Sequence, residues 1–371
     1  MPLRPLAATL AGLCCVLVLA AGCDGSAPSA PSPGSPVDTG DPDAPEFGVD
    51  GQRRAHVTRL LVEHHHLLGA AGRAALRGTP DEALVHALAA TTDELAATLV
   101  PPLDGRTAER FRSAWASDSA YLLASVRGPD AATVADSGEL ARRCDATAAA
   151  AELDGISTRG LATTLCRGHQ ALLRAVAARP SALDLATGLL VGAGPDTARS
   201  AALLTPPVSA AGDLLVDLTA LLTEHVVLVG LRAELTGAGE EVAGADQALE
   251  RNAAALHRRL RVAVGGGDDF RRHWDRLVAG YRSAAVDRPA AADTARADLA
   301  VYLRRVLAGR TAEEVVAGLW RQGDRLVAAA NAAHDARTVA PALQRAALTE
   351  AEDAAAFLAG ALSAQYPDEF D

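Results

Sequence analysis

Residues 60–69 read LLVEHHHLLG and residues 221–230 read LLTEHVVLVG, so that six of ten positions are identical at an offset of 161 residues. Farther along, residues 111–115 (FRSAW) match residues 270–274 (FRRHW) at an offset of 159 residues. Two matches that keep their order and nearly keep their spacing are typical of an internal duplication. The sequence therefore predicts a chain built from two related halves.

The two predicted halves are residues 51–200 and 206–371, separated by a proline-bearing stretch that ends at Thr205-Pro206-Pro207. Within each half, apolar residues recur every three or four positions, which is the period of an amphipathic helix. Glycines and prolines divide the sequence into segments of about 20 residues, and alternating β-branched runs are absent. We expect an all-α fold in which each half is an antiparallel bundle of helices.

The first 22 residues have the features of a secretion signal, with Arg4 followed by an apolar core from Leu6 to Leu19. The sequence Leu19-Ala20-Ala21-Gly22-Cys23 resembles the lipobox of bacterial lipoproteins. That resemblance implies cleavage before Cys23, attachment of a diacylglycerol and a palmitate chain there, and a position on the extracytoplasmic face of the cell membrane. An ordinary signal peptide cleaved elsewhere is the alternative.

Residues 23–50 are predicted to form a disordered linker, because they are rich in proline, serine, glycine and aspartate and have few large apolar side chains. The whole chain of 371 residues has a net charge of −11. This acidity argues against binding to nucleic acid. The expected partners are the membrane, through the lipid, and an unidentified protein or small ligand.

Cys144 and Cys166 are the two cysteines that follow Cys23 in the sequence. An exported protein resides where disulfides form and persist, so a bond between Cys144 and Cys166 is predicted. Two small buried thiols are the alternative.

His64 and His225 occupy corresponding positions of the two halves and lie on the apolar stripes of their predicted helices. A core-facing imidazole needs a hydrogen-bond partner. The two interpretations are a hydrogen-bonded core histidine and a ligand to a metal or cofactor, since helical bundles assemble such ligands from facing helices.

Glu224-His225-Val226, Asn252, His273 and the closing stretch 356–370 resemble a family of secreted helical proteins from Gram-positive bacteria. Members of that family usually carry a histidine on the first helix, an Asn-x-x-Asp pair on the second, a histidine on the third and further histidines near the C-terminal helices. The resemblance implies a helical fold with a polar set inside, and no particular activity.

By this resemblance, each half retains only part of the polar set: Ala255 replaces the aspartate, Gln322 stands near an expected histidine, and Ala114 replaces the third-helix histidine of the first half. The retained residues, which are also the candidate metal ligands, are His64, Glu94 and His169 in the first half and His225, Asn252 and His273 in the second. We expect each set to converge, either as a hydrogen-bond network or as a metal site. The missing members argue against a catalytic metal centre.

Enzyme motifs are absent from the sequence, which lacks a Gly-x-Ser-x-Gly elbow, His-Glu-x-x-His, a phosphate-binding glycine loop followed by lysine, and Cys-x-x-Cys. No cofactor is expected, although the partial sets allow a metal ion. The prediction is a lipid-anchored extracytoplasmic helical protein with a non-catalytic envelope or interaction role. The alternative is a protein that binds a metal or small ligand.

Overall fold

The computed structural model describes the chain between residues 47 and 367. Within these limits it leaves out residues 79–81, 100–103, 128–133, 135–136, 152–162, 164–165, 171–172, 175–200, 203–204, 206–207, 265–266, 285–288, 308 and 336–339. The predicted signal peptide, Cys23 and most of the predicted linker lie outside the described residues.

Ten helices account for most of the described residues. They are α1 (Gly48–Leu76), α2 (Glu82–Thr98), α3 (Gly105–Arg127), α4 (Gly138–Ala151), α5 (Ala210–Gly237), α6 (Ala243–Val264), α7 (Gly267–Ala284), α8 (Pro289–Val306), α9 (Gly309–His334) and α10 (Ala340–Gln365). No β-strand occurs among the residues that the structure describes, and the predicted all-α class is confirmed.

Helices begin and end at the polar and glycine residues that local chemistry favours. Asp104 accepts hydrogen bonds at 2.8 Å from the backbone N–H groups two and three residues later, and Ser209 accepts one from Gly212, so each caps the helix that follows. Gly78 follows α1 with φ of 71°, and Gly239 follows α5 with φ of 69°. Such positive φ angles favour glycine, and these two glycines again lie 161 positions apart.

Helices α1 and α5 pack side by side and run parallel. At one end, a Cβ added to Gly51 would lie 3.3 Å from the Cα of Gly212. At the other end, Arg73 donates to Glu234 at 2.8 Å across a sequence separation of 161 residues. Corresponding positions of the two halves therefore face each other, as expected for related halves packed about a two-fold axis parallel to the helices. The duplication itself stays a prediction.

Helix α5 lies at the centre of the packing and contacts α1, α6, α7, α9 and α10. Of the described helices, it is the one that is long and apolar enough to cross a membrane. However, 83% of its most apolar 18-residue window is buried inside the protein. This burial is what the core helix of a bundle requires, so its hydropathy is accounted for by packing.

The hydrophobic side chains form one large core and two smaller ones. The large core joins α5–α10 with Phe47, Ala55 and Val62 at the start of the chain's described part. Helices α1–α4 supply most of the two smaller cores. Ala201 joins the one around Leu60 and Phe111, and Leu173 joins the one around Leu68 and Leu122. The described residues between 47 and 367 cluster as one compact unit, and the division into domains at residues 200–206 stays a prediction.

Candidate functional site

The polar residues predicted in the first half lie in two separate groups of side chains. The first, named here the histidine cluster, consists of His64, Trp115, Asp118 and His169. The second, named the charged network, consists of His56, Arg59, Glu63, Glu94, Arg345 and Glu352. The predicted set of His64, Glu94 and His169 is therefore divided, because Glu94 lies in the charged network.

His64 projects from α1 into the core with 1% of its surface exposed. Its Nδ1 accepts a hydrogen bond from the indole Nε1–H of Trp115 at 3.2 Å, so the neutral ring carries its proton on Nε2. Burial lowers the pKa of His64 well below its ordinary value, and the nearby rings of His65 and His169 lower it further. Of the two interpretations of His64 from the sequence, this geometry agrees with the hydrogen-bonded core histidine.

His169 and Asp118 form a buried pair, with His169 Nδ1 3.1 Å from Asp118 Oδ2. Burial lowers the pKa of His169 to about 4 and raises the pKa of Asp118 to about 6, the latter partly offset by Arg143. At neutral pH the ionised carboxylate of Asp118 therefore accepts a hydrogen bond from Nδ1–H of the neutral His169 ring. Between pH 4 and 6 the carboxyl group is protonated and becomes the donor.

The structure places a disulfide between Cys144 of α4 and Cys166, whose Cα atoms are 5.6 Å apart. Cys166 lies in the helical stretch 166–170, which also carries His169. The Sγ of Cys144 lies 4.0 Å from His169 Nδ1. The covalent link therefore holds the His169 segment against α4, next to the Asp118 pair.

Arg59 is the centre of the charged network and has only 3% of its side chain exposed. Its three guanidinium nitrogens each donate to a different carboxylate: Nη1 to Glu63 at 2.9 Å, Nη2 to Glu94 at 2.6 Å and Nε to Glu352 at 2.7 Å. These carboxylates come from α1, α2 and α10. One arginine therefore ties the first two helices to the last helix of the described chain.

Two further cations complete the network. His56 contacts Glu352 at 3.0 Å and Glu94 at 3.2 Å, and Arg345 donates to Glu63 at 2.6 Å. Burial by itself would lower the pKa of His56, but its bonds to Glu352 and Glu94 outweigh burial and raise it to about 9. Burial by itself would raise the pKa of Glu94. Its bond to His56 and the charges of Arg59 and Arg345 outweigh burial and lower this pKa to about 2. Three cations thus face three carboxylates at neutral pH.

The raised pKa of His56 predicts a loss of stability in alkaline solution. The stabilisation from protonated His56 is complete below its unfolded pKa of 6.5 and disappears as the pH rises through 9. Because 32% of the side chain is exposed, we expect this loss to be on the order of 1–2 kcal/mol. Urea unfolding at pH 6.5, 8 and 9.5 measures it.

The matched variants for this pH series are His56→Asn and His86→Asn, since His86 is an exposed histidine on α2. In His56→Asn, the free energy of unfolding should no longer fall as the pH rises from 6.5 to 9. In His86→Asn, it should fall as it does in the wild type. An identical pH profile in the wild type and in His56→Asn would contradict the assignment.

In the second half, the three predicted residues His225, Asn252 and His273 each contact different neighbours. Asn252 Nδ2 donates to Glu224 Oε2 and to the backbone carbonyl of Leu221, each at 2.9 Å. The ring of His225 packs against Trp274 and Tyr281, with centroids 5.3 and 6.2 Å apart. The ring of His273, which is half-buried, packs against Tyr302 at 5.0 Å.

Glu224 and Asn252 correspond to Glu63 and Thr91 at the offset of 161 residues, yet the chemistry of the two pairs differs. In the first half, the guanidinium of Arg345 bridges Glu63 and Thr91, with both distances 2.6 Å. In the second half, Asn252 donates directly to Glu224, a bond that needs no arginine. Burial raises the pKa of Glu224, which this hydrogen bond partly offsets.

A small, partly open pocket lies between α7, α8 and α9, and its volume of about 10 Å³ is room for one water molecule. Its lining residues are Leu277, Tyr281, Arg296, Leu299, Ala300, Leu303, Val316, Leu319 and Trp320. Most of this lining is aliphatic, and the polar members are Tyr281 and Arg296. Sequence reasoning does not single out this pocket.

Metal binding receives no support from the described geometry. Within the part of the chain that the structure describes, no group of three or more histidine, cysteine, aspartate or glutamate side chains is arranged to hold a metal ion. The predicted ligands have protein neighbours instead: His64 has Trp115, and His169 has Asp118.

Comparisons of the chain with protein-family models, curated proteins and solved structures found no match. The fold and the two polar groups define an all-α protein in which the charged network pairs three cations with three carboxylates of the same chain. Its function is inferred from this arrangement and from the sequence.

Proposed function

We propose that this protein is a lipid-anchored helical protein on the extracytoplasmic face of the cell membrane, with a non-catalytic envelope or interaction role. The resemblance of residues 19–23 to a lipobox supports the anchor. The observation that carries the non-catalytic role is that four of the six predicted polar residues have a hydrogen-bond or ion-pair partner within the protein; they are His64, Glu94, His169 and Asn252. A general acid or base must instead reach a substrate.

The anchor is tested by a Cys23→Ala variant expressed in the native host or a related bacterium. Because alanine has no thiol to accept the diacylglycerol, we expect the protein to be released into the medium or to remain unprocessed. Fractionation followed by immunoblotting measures the distribution. The matched control is Cys15→Ala, inside the predicted signal peptide, which should stay in the membrane fraction. A processed Cys23→Ala protein that remains fully in the membrane fraction would overturn the anchor.

A second candidate is the binding of a small ligand by the partial polar sets, because His64 and His169 of the first set lie near each other in the core. Binding of a metal ion belongs to the same alternative. Elemental analysis of the purified mature protein tests it, and a stoichiometric transition metal would overturn the non-catalytic interaction role as the first choice.

A further inference from the structure

The disulfide between Cys144 and Cys166 lies beside two further side chains of types that bind metal ions. His169 Nδ1 is 4.0 Å from the Sγ of Cys144 and 3.1 Å from Oδ2 of Asp118. Asp118 comes from α3 and Cys144 from α4, whereas the other two residues come from the stretch 166–170. Three separate elements therefore bring two sulfurs, one imidazole nitrogen and one carboxylate together in the core.

The spacing of these atoms is close to that of a tetrahedral zinc site. Bonds of about 2.3 Å to sulfur and about 2.0–2.2 Å to nitrogen and oxygen place a sulfur ligand about 3.6 Å from a nitrogen ligand, and that nitrogen about 3.4 Å from an oxygen ligand. The observed distances of 4.0 Å and 3.1 Å differ from these values by no more than about 0.4 Å. The two sulfurs must separate to about 3.8 Å, which cleavage of the bond between them allows.

Asp118 has an acceptor atom available for a cation. Its side chain is 5% exposed, and its buried Oδ1 has no hydrogen-bond partner among the residues that the structure describes. Burying an unpaired carboxylate oxygen is costly, and a metal ion beside it offsets that cost. One Zn²⁺ with two thiolates and this carboxylate leaves one negative charge in excess, which the nearby guanidinium of Arg143 balances.

With the disulfide intact, this cluster is not a metal site, because its sulfurs offer no thiolate. Accordingly, the described part of the chain has no group of three or more side chains arranged to hold a metal ion. A thiol or dithiol reductant changes this: it is oxidised to a disulfide, and both cysteines become thiols by taking up its two electrons and two protons. Zn²⁺ then displaces the two thiol protons, which pass to solvent, and the metal keeps its oxidation state.

We propose that reduction of the bond between Cys144 and Cys166 creates a Zn²⁺ site. Its ligands are the two thiolates, His169 Nδ1 and a carboxylate oxygen of Asp118. The neutral imidazole then carries its proton on Nε2, since the metal occupies Nδ1. Four protein ligands leave no open position, so the ion is structural and holds the stretch 166–170 against α4 in place of the covalent link. The ion enters from the side of Cys166, which is only partly buried.

The test is a cobalt titration of residues 23–371 carrying Cys23→Ala, in which Cys144 and Cys166 are the only cysteines. A water-soluble phosphine reduces the disulfide and becomes the phosphine oxide, with water supplying its oxygen and the thiol protons; gel filtration under argon then removes it. Tetrahedral Co²⁺ bound to thiolates gives intense visible bands and a near-ultraviolet sulfur-to-metal band. We expect the reduced protein to bind an equimolar amount of Co²⁺ with these bands, and Zn²⁺ to remove them. The disulfide form should give no such bands.

Asp118→Asn and His169→Gln each replace a proposed ligand by a side chain of similar size. Each should weaken Co²⁺ binding at least about tenfold, which is the cost of losing even an outer-shell partner of a metal site. Far-ultraviolet circular dichroism of the reduced variants checks that they fold. The matched controls are Asp145→Asn on α4 and His86→Gln on α2, since both side chains are exposed. The two controls should bind Co²⁺ as the wild type does.

The proposal is overturned if the reduced protein gives no tetrahedral thiolate bands, or if either ligand variant binds Co²⁺ as tightly as the wild type. Equally tight binding by the reduced chain in urea would also overturn it, because the fold would then contribute nothing to the site. This inference goes beyond the proposed membrane-anchored role and fails separately from it. Elemental analysis of the protein with its disulfide intact tests the metal-binding alternative, and the Cys23→Ala fractionation tests the anchor.

Discussion

Replacing Arg59 with methionine should lower the free energy of unfolding by about 3–5 kcal/mol, the range found when one member of a buried ion pair is removed. Methionine approximates the length of the arginine stem but donates no hydrogen bond. The carboxylates of Glu63, Glu94 and Glu352 would each lose a guanidinium nitrogen at 2.6–2.9 Å. Urea unfolding at pH 7 measures the loss.

The matched control is Arg112→Met, since Arg112 also pairs with two acids but has 42% of its side chain exposed. Its removal should lower the free energy of unfolding far less than Arg59→Met, because water screens exposed pairs. The loss in free energy of unfolding caused by Arg59→Met should also become smaller as the pH falls towards 4, because the unpaired carboxyl groups then take up protons. Equal losses in the two variants would show that the charged network contributes no more than a surface pair.

The fold class could be predicted from the sequence because helical periodicity and the glycine and proline breaks are local signals. The segment break at Gly78-Thr79-Pro80 corresponds to the end of α1, which is followed by a positive φ at Gly78. The contact of α1 with α5 could not be predicted in this way. The surfaces that pack are both apolar, and the close approach at Gly51 and Gly212 depends on three-dimensional geometry.

The charged network was missed by the sequence analysis, although part of its signal is present. His56, Arg59 and Glu63 are spaced by three and four residues, so they form a polar stripe along one side of α1. That stripe predicts a polar contact but not its partners. Glu352 lies 293 residues from Arg59, and no local pattern identifies it.

The histidine predictions show the same division between local and distant information. The apolar stripe around His64 correctly indicates burial, at 1% exposure, and a buried ring requires a partner. Its partner is the indole of Trp115, 51 positions away in the sequence, although the resemblance suggested Glu94 and His169. A family pattern identifies polar positions, whereas the tertiary packing decides which of them meet.

Reducing the bond between Cys144 and Cys166 should destabilise the protein by about 3 kcal/mol, the value that chain entropy gives for a closed loop of about 22 residues. The bond joins positions 22 residues apart and leaves Cys144 fully buried. Urea unfolding of the same preparation with and without reductant measures the difference. This comparison leaves the side chains unchanged, so no cavity contributes to it.

The double variant Cys144→Ala, Cys166→Ala is the second arm and should be insensitive to reductant. A reductant effect that persists in it would arise elsewhere in the chain. Alkylation followed by mass spectrometry establishes the starting state: without reductant, neither Cys144 nor Cys166 should be modified in unfolded protein. Full alkylation of both thiols under that condition would show that the bond is absent. Because Cys166 and His169 share one helical segment, loss of the bond should also loosen the contact of His169 with Asp118, visible as a change in the imidazole NMR signals of His169.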